Sequence, residues 1–146
     1  MKHFAFLLAG LMVASFGSGC NTLGRQPQMS EAAIVPAALK PGESAVISAK
    51  ITDKQRIVDR VVAIVKEDTR MKLMLKDDGL APDAKAGDGV WTVEVEVPFM
   101  AAPGKYTLEI TAFNREGGVI NVKQADKSEG PLVAVTELVI NYPPEQ

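Results

Sequence analysis

Four aspartates lie within twelve residues near the middle of the chain, where their carboxylates could bind a metal ion. The segment 77–91 reads DDGLAPDAKAGDGVW, and its aspartates are Asp77, Asp78, Asp83 and Asp88. Ca²⁺ in proteins takes six to eight oxygen ligands, and carboxylates are prominent among them. Calcium is therefore the one cofactor that this segment suggests.

The same aspartates could instead cap turns. Asp side chains accept hydrogen bonds from nearby backbone N–H groups, and the Asp-Gly pairs at 78–79 and 88–89 are typical of turns. The spacing departs from the EF-hand loop, no Glu closes the segment, and Lys85 lies inside it. We therefore predict turn-capping aspartates and no cofactor, with a calcium site as the alternative.

The single cysteine, Cys20, is the second residue with distinctive chemistry. Before it, Lys2 is followed by an apolar run at 4–16 and by three small residues at 17–19. This order is typical of a secretory signal peptide, and the apolar run is shorter than the roughly 20 residues of a membrane-spanning helix. We predict that residues 1–19 are a signal peptide cleaved before Cys20.

Residues 17–20, Gly-Ser-Gly-Cys, resemble the lipobox of bacterial lipoproteins, although that family prefers Leu where this chain has Gly17. The resemblance implies that the Cys20 thiol carries a diacylglycerol and anchors the mature chain to a membrane. By analogy with enterobacterial lipoproteins, Asn21 in place of Asp implies the outer membrane if the organism is Gram-negative. The alternative is an ordinary signal peptide with an incidental cysteine.

Loss of the signal peptide would remove much catalytic chemistry. His3 is the only histidine, so the mature chain could build neither a Ser-His-Asp nor a Cys-His site. Zinc and copper sites that rely on His or free Cys are excluded for the same reason. The net charge of −2 offers no basic surface for nucleic acid. We predict a non-enzymatic protein with neither a small-molecule substrate nor a nucleic-acid partner.

The elements that must position these residues are predicted to be β-strands, because the apolar residues recur mostly with period two. In 90–97, Trp91 and the valines are expected to face the core, while Thr92, Glu94 and Glu96 face water. No segment has a convincing helical pattern. We predict an antiparallel β-sandwich of about seven strands, at 32–39, 45–52, 57–66, 71–76, 90–97, 105–114 and 132–141, with 119–123 as a short ribbon.

Two short motifs resemble parts of known β-sandwich domains. The fragment 103–110, PGKYTLEI, is similar to the penultimate strand of immunoglobulin-like and fibronectin-III-like domains. In those domains a Tyr near the strand start often forms a tyrosine corner, and Tyr106 has that place here. The acidic segment followed by Trp91 resembles a hairpin of many bacterial extracellular Ig-like domains. Because the chain has one Cys, the resemblance is to disulfide-free Ig-like domains.

The expected organisation follows from these motifs. Residues 1–19 are the signal peptide, and 20–43 contain the lipidated Cys20, a flexible tether at 21–30 and a candidate first edge strand. Residues 44–142 form the Ig-like β-sandwich, and 143–146 are a tail.

We expect a lipid-anchored, non-enzymatic module of the cell envelope that binds a partner protein or has a structural role there. Its partners would be the membrane, through the lipid, and an envelope protein that the sequence does not identify. Such a module should expose an edge strand or an apolar loop. The alternative is a calcium-dependent carbohydrate- or ligand-binding module, which would need exposed aromatic rings. Phe113 is the aromatic residue that the strand pattern points away from the core.

Overall fold

The structure, a computed structural model, describes residues 26–142, and every regular element within them is a β-strand. The predicted signal peptide, Cys20 and the 143–146 tail lie outside the described residues. The all-β class agrees with the sequence pattern. The strands are β1 (Gln28–Val35), β2 (Ala38–Leu39), β3 (Ser44–Thr52), β4 (Arg60–Val65), β5 (Asp68–Leu75), β6 (Val90–Glu96), β7 (Gly104–Phe113), β8 (Asn121–Lys123), β9 (Glu129–Pro131) and β10 (Val133–Ile140).

These strands form three sheets. A three-stranded sheet has the order β1-β3-β6, a five-stranded sheet has the order β2-β10-β7-β4-β5, and β8 pairs with β9. The prediction of about seven strands is too low, because strands of two or three residues, such as β2 and β9, are too short to show an alternating pattern. The prediction of a wholly antiparallel arrangement also needs correction, since β2 runs parallel to β10.

The predicted first edge strand at 32–39 is in fact two strands in two sheets. β1 pairs with β3, and its first residue, Gln28, lies opposite Thr52. Residues 28–30, which the sequence pattern placed in the spacer, therefore belong to the domain. Pro36 has no N–H with which to continue the ladder. The chain leaves the three-stranded sheet there, and β2 joins the other sheet beside β10.

The core lies between the two larger sheets, whose buried apolar side chains form one cluster. Along β3, Ala45, Ile47, Ala49 and Ile51 are buried at alternate positions, as period two requires. Burial along β4 alternates in the same way, with Val61, Ala63 and Val65 buried and the residues between them half-buried. The buried residues of β7 are Leu108, Ile110, Thr111 and Ala112.

A carboxylate in the β4–β5 turn is hydrogen-bonded to β7. The Thr107 N–H donates to both carboxylate oxygens of Glu67, at 3.0 and 2.9 Å. The Lys66 N–H donates to the Thr107 carbonyl at 2.9 Å. The hydrogen bond from Thr107 favours the charged form of Glu67 and lowers the pKa of its carboxyl below the ordinary value.

We expect this bond to make stability sensitive to acid. Because the pKa of Glu67 is lowered by folding, its contribution is present above the ordinary glutamate pKa and is lost as the pH falls through the folded-state value. The Glu67→Gln variant should therefore lose less stability than the wild type between pH of about 6 and about 3.5. Urea midpoints at the two pH values measure this, with Glu94→Gln, on the exposed side of β6, as the control. Equal losses in wild type and Glu67→Gln would contradict the assignment.

Candidate functional site

The acidic loop, residues 77–89 between β5 and β6, is organised by Asp77. One carboxylate oxygen of Asp77 accepts from the N–H groups of Gly87 and Asp88, at 2.7 and 3.3 Å. The other oxygen accepts from the Gly89 N–H at 3.0 Å. A single side chain at the start of the loop thus binds three consecutive backbone N–H groups at its end. This closes the loop through local hydrogen bonds.

The other three aspartates also accept backbone N–H groups. Asp83, which is 5% exposed, accepts from Gly79 at 2.6 Å and from Lys85 at 3.2 Å. Asp78 accepts from the Leu80 N–H at 3.0 Å, and Asp88 accepts from the Val90 N–H at 2.9 Å. All four carboxylates therefore have the contacts of turn-capping residues.

Three of the four also lie close enough together to hold a metal ion. Asp77, Asp83 and Asp88 each place one carboxylate oxygen within 4.8 Å of the others. Asp78 is not part of this set. Three carboxylates are fewer than the six to eight oxygens that Ca²⁺ takes, so backbone carbonyls or water would have to supply the rest. The three carboxylates could therefore contact one cation. Each of them, however, already accepts hydrogen bonds from backbone N–H groups in or beside the loop.

Two glycines let the acidic loop fold tightly and lie against β3. Gly79 and Gly89 have φ of +73° and +86°, in the left-handed region that favours glycine. A Cβ on Gly89 would collide with the carbonyl oxygen of Ile51, and the Ile51 N–H donates to the Gly89 carbonyl at 2.7 Å. The end of the loop is therefore fixed to the three-stranded sheet.

Beyond the loop, Trp91 is partly buried and packs against the core together with Val93 and Val95. Glu94 is exposed, as its position in the alternation requires. Thr92 contradicts the expectation that it faces water, since it is 7% exposed. The chain continues past β5 to Lys76, which exchanges two backbone hydrogen bonds of 2.8 Å with Thr92. This crossing between sheets brings the start of the acidic loop beside β6.

The loop between β6 and β7 is held by two tyrosine hydroxyls. Tyr106 donates to the carbonyl of Ala102, four residues upstream, at 2.8 Å. Tyr142 donates to the carbonyl of Ala101 at 2.7 Å. The Ala101 N–H in turn donates to the Pro98 carbonyl at 2.9 Å and closes a turn. The backbone of this loop is therefore fixed from both sides.

This turn presents two large apolar side chains to solvent. Phe99 is 76% exposed and Met100 is 94% exposed; we call these two residues the apolar tip. Phe113, the aromatic residue singled out from the sequence, is only partly exposed, and Phe99 was missed. One sequence feature could have indicated this exposed turn. It is the short apolar run at residues 98–102, which directly follows a strand and precedes a Pro-Gly turn.

The acidic loop and the apolar tip lie at opposite ends of β6. The acidic loop precedes Val90 and the tip follows Val97. A seven-residue strand separates them by about 20 Å. Gln28 begins β1 beside Thr52, and Lys50 lies opposite Val90. The chain therefore enters the domain at the end that carries the acidic loop, away from the tip.

Comparisons with known proteins leave the family open. No protein-family model matches the chain, and no curated protein matches it. Among residues 26–142, no helix is long and apolar enough to cross a membrane. The solved structures to which it is similar include the following two. An endo-beta-1,4-mannanase from Thermotoga petrophila has a TM-score of 0.49 and 6% identity, over 82% of this chain and 20% of that one. The Pseudomonas fluorescens alkylpurine DNA glycosylase AlkC, bound to DNA containing an abasic site analog, has a TM-score of 0.47 and 15% identity, over 81% of this chain and 31% of that one. The chain thus spans less than a third of the length of either protein.

Proposed function

We propose that the protein is a lipid-anchored, non-enzymatic Ig-like module of the bacterial cell envelope that binds a partner protein through its apolar tip. The observation that carries this proposal is the fixed turn on which Phe99 and Met100 are exposed. The proposal has three parts, which are the fold type, the binding surface and the anchor.

The strand orders support an Ig-like β-sandwich. In immunoglobulin domains, strands A, B and E lie in one sheet, and strands C, F and G lie in the other. The order β1-β3-β6 matches A-B-E, and the order β10-β7-β4 matches G-F-C. The hydrogen bond from Tyr106 to Ala102, a few residues upstream at the start of β7, is the contact that a tyrosine corner makes.

The apolar tip has the properties of a protein-binding surface. Large exposed apolar side chains in one place mark interaction sites, and aromatic residues are frequent among those that contribute most to binding. Because Tyr106 and Tyr142 already fix the backbone of the turn, a partner would have little loop entropy to overcome. The tip therefore fits a partner with a complementary apolar pocket.

The position of the tip fits an anchor at Cys20. The described chain begins at Gln26, at the end of the domain opposite the tip. A lipid on Cys20 would hold the acidic-loop end nearer the membrane and point Phe99 away from it. The tip could then reach a partner in the periplasm or on the cell surface.

A calcium-dependent carbohydrate- or ligand-binding module is the second candidate, and the spacing of Asp77, Asp83 and Asp88 favours it. Such modules combine the ion with exposed aromatic rings at one site. Here Phe99 lies at the opposite end of β6 from the aspartates. A ligand bound through an ion at the aspartates would have to extend the length of β6 to contact Phe99, so we place the partner-binding proposal first.

Substitutions in the tip should weaken partner capture strongly without unfolding the domain. We expect Phe99→Ser and Met100→Ser each to weaken binding of the partner, measured by crosslinking in intact cells, by about thirtyfold, since the truncation of a central apolar contact typically costs about 2 kcal/mol. The control is Leu80→Ser, which changes a side chain that is 68% exposed on the acidic loop. Urea midpoints verify folding. Capture that is lost in Leu80→Ser but retained in Phe99→Ser would overturn the assignment.

A further inference from the structure

An apolar cavity of about 460 Å³ lies between the two larger sheets, next to the apolar tip. It reaches core side chains of both sheets, and exposed residues of the edge strands border it. β5 is one edge strand of the five-stranded sheet, and β6 is one edge strand of the three-stranded sheet. The volume falls within the range of about 300–1,000 Å³ that small-molecule sites occupy. Its principal lining residues are Ile34, Ile47, Leu73, Val95, Met100 and Leu108.

The interior of the cavity favours an alkyl chain over a polar group. Apart from Tyr106 and three carboxylate residues, the residues that line it are aliphatic, proline or methionine. The hydroxyl of Tyr106 already donates to the Ala102 carbonyl. A polar group placed inside would therefore lose its hydrogen bonds to water without replacement, which is costly. An alkyl chain makes no hydrogen bonds to water that it could lose, and the burial of its apolar surface is favourable.

The charged residues that line the cavity are all acidic. They are Glu67, Asp68 and Glu96, and no Lys or Arg is among the lining residues. Glu67 accepts from the Thr107 N–H, and Asp68 forms an ion pair of 2.8 Å with Arg70. Within residues 26–142, Glu96 has neither an ion pair nor a side-chain hydrogen bond, and it is exposed. Glu96 is therefore the carboxylate free to bind a charged head group.

From these observations we propose that the cavity binds a single-chain amphiphile with a cationic head group. The alkyl chain enters between β5 and β6, and the head group stays outside beside Glu96. An anionic head group beside Glu96 would be repelled by its unpaired carboxylate. This site is separate from the surface proposed for the partner protein, although Met100 borders both.

The test uses the full chain in nanodiscs of neutral lipid, with methyl-labelled methionine observed by NMR. The probes are octyltrimethylammonium and octyl sulfate, which have the same chain and opposite charges. The methionines that line the cavity, Met71 and Met100, should shift saturably with the cation. Met74, exposed on β5 but not a lining residue, should not shift. The cation should bind about tenfold more tightly than the anion.

A matched pair of variants tests the head group. Glu96→Gln should weaken binding of octyltrimethylammonium about threefold to fivefold, because it removes one charge attraction. Glu94→Gln, two residues earlier on the same exposed side of β6, should leave it unchanged. Both side chains are exposed, so both variants should fold. The proposal is overturned if neither probe saturates, if both probes bind equally, or if Met71 responds only to an envelope protein.

Discussion

Cys20→Ala is expected to abolish lipid attachment and to prevent normal cleavage of the signal peptide at this site. Lipidation needs the thiol, and Cys20 is the only cysteine in the chain. Each buried CH₂ of an acyl chain contributes about 0.8 kcal/mol to membrane binding, and two chains or more suffice for stable anchoring. Metabolic labelling with a palmitate analogue, followed by electrophoresis that separates the cleaved from the uncleaved chain, measures the effect.

Thr22→Ala is the control, since it changes a small residue just after the cleavage position and leaves the thiol in place. It should be labelled like the wild type. Equal labelling of Cys20→Ala and wild type would disprove the assignment. Export of an unlabelled wild type would instead indicate an ordinary signal peptide with an incidental cysteine, and the tip would then act in a soluble protein.

Much of the fold could be predicted because a strand with one buried face has alternating apolar and polar residues in its sequence. β3, β6 and β7 each have seven residues or more, and their predicted bounds differ from the structure by no more than one residue at either end. The predictions that were wrong concern features that depend on contacts between segments far apart in the sequence. Thr92 is buried because Lys76 crosses from the other sheet to pair with it. At Pro36 the chain passes from the three-stranded sheet to the five-stranded sheet. This passage likewise depends on β10, which lies about a hundred residues further along the sequence.

The acidic loop shows why a site is harder to predict than a strand. An aspartate has the same side chain whether it caps a turn or binds an ion, so sequence alone leaves both interpretations open. The structure adds where the N–H donors lie, and three of them converge on Asp77. The apolar tip was missed for a related reason. Exposure of Phe99 is set by a turn that Tyr142 fixes from the far end of the chain.

Asp77→Ala should cause the largest loss of stability among changes in the acidic loop. It removes the acceptor of three backbone N–H groups, those of Gly87, Asp88 and Gly89. Hydrogen bonds to a charged group contribute more than neutral ones, but part of this set is open to solvent, so we expect a loss of about 2–3 kcal/mol. Urea unfolding measures it. Asp78→Ala is the control, because Asp78 accepts from one N–H only, that of Leu80, and it should cost less.

The same variants decide between turn capping and calcium binding. If capping is the role of Asp77, the loss in Asp77→Ala should be the same in EDTA and in millimolar CaCl₂. If Asp77, Asp83 and Asp88 hold an ion, calcium should stabilise the wild type by RT ln(1 + [Ca²⁺]/Kd), about 2.7 kcal/mol at a hundredfold excess over Kd. That gain should vanish in Asp77→Ala and persist in Asp78→Ala, which lies outside the set. We expect equal melting temperatures in both buffers, because these carboxylates already accept hydrogen bonds from nearby backbone N–H groups. A calcium-dependent rise that Asp77→Ala removes would make the metal-dependent ligand-binding module the better account of this protein.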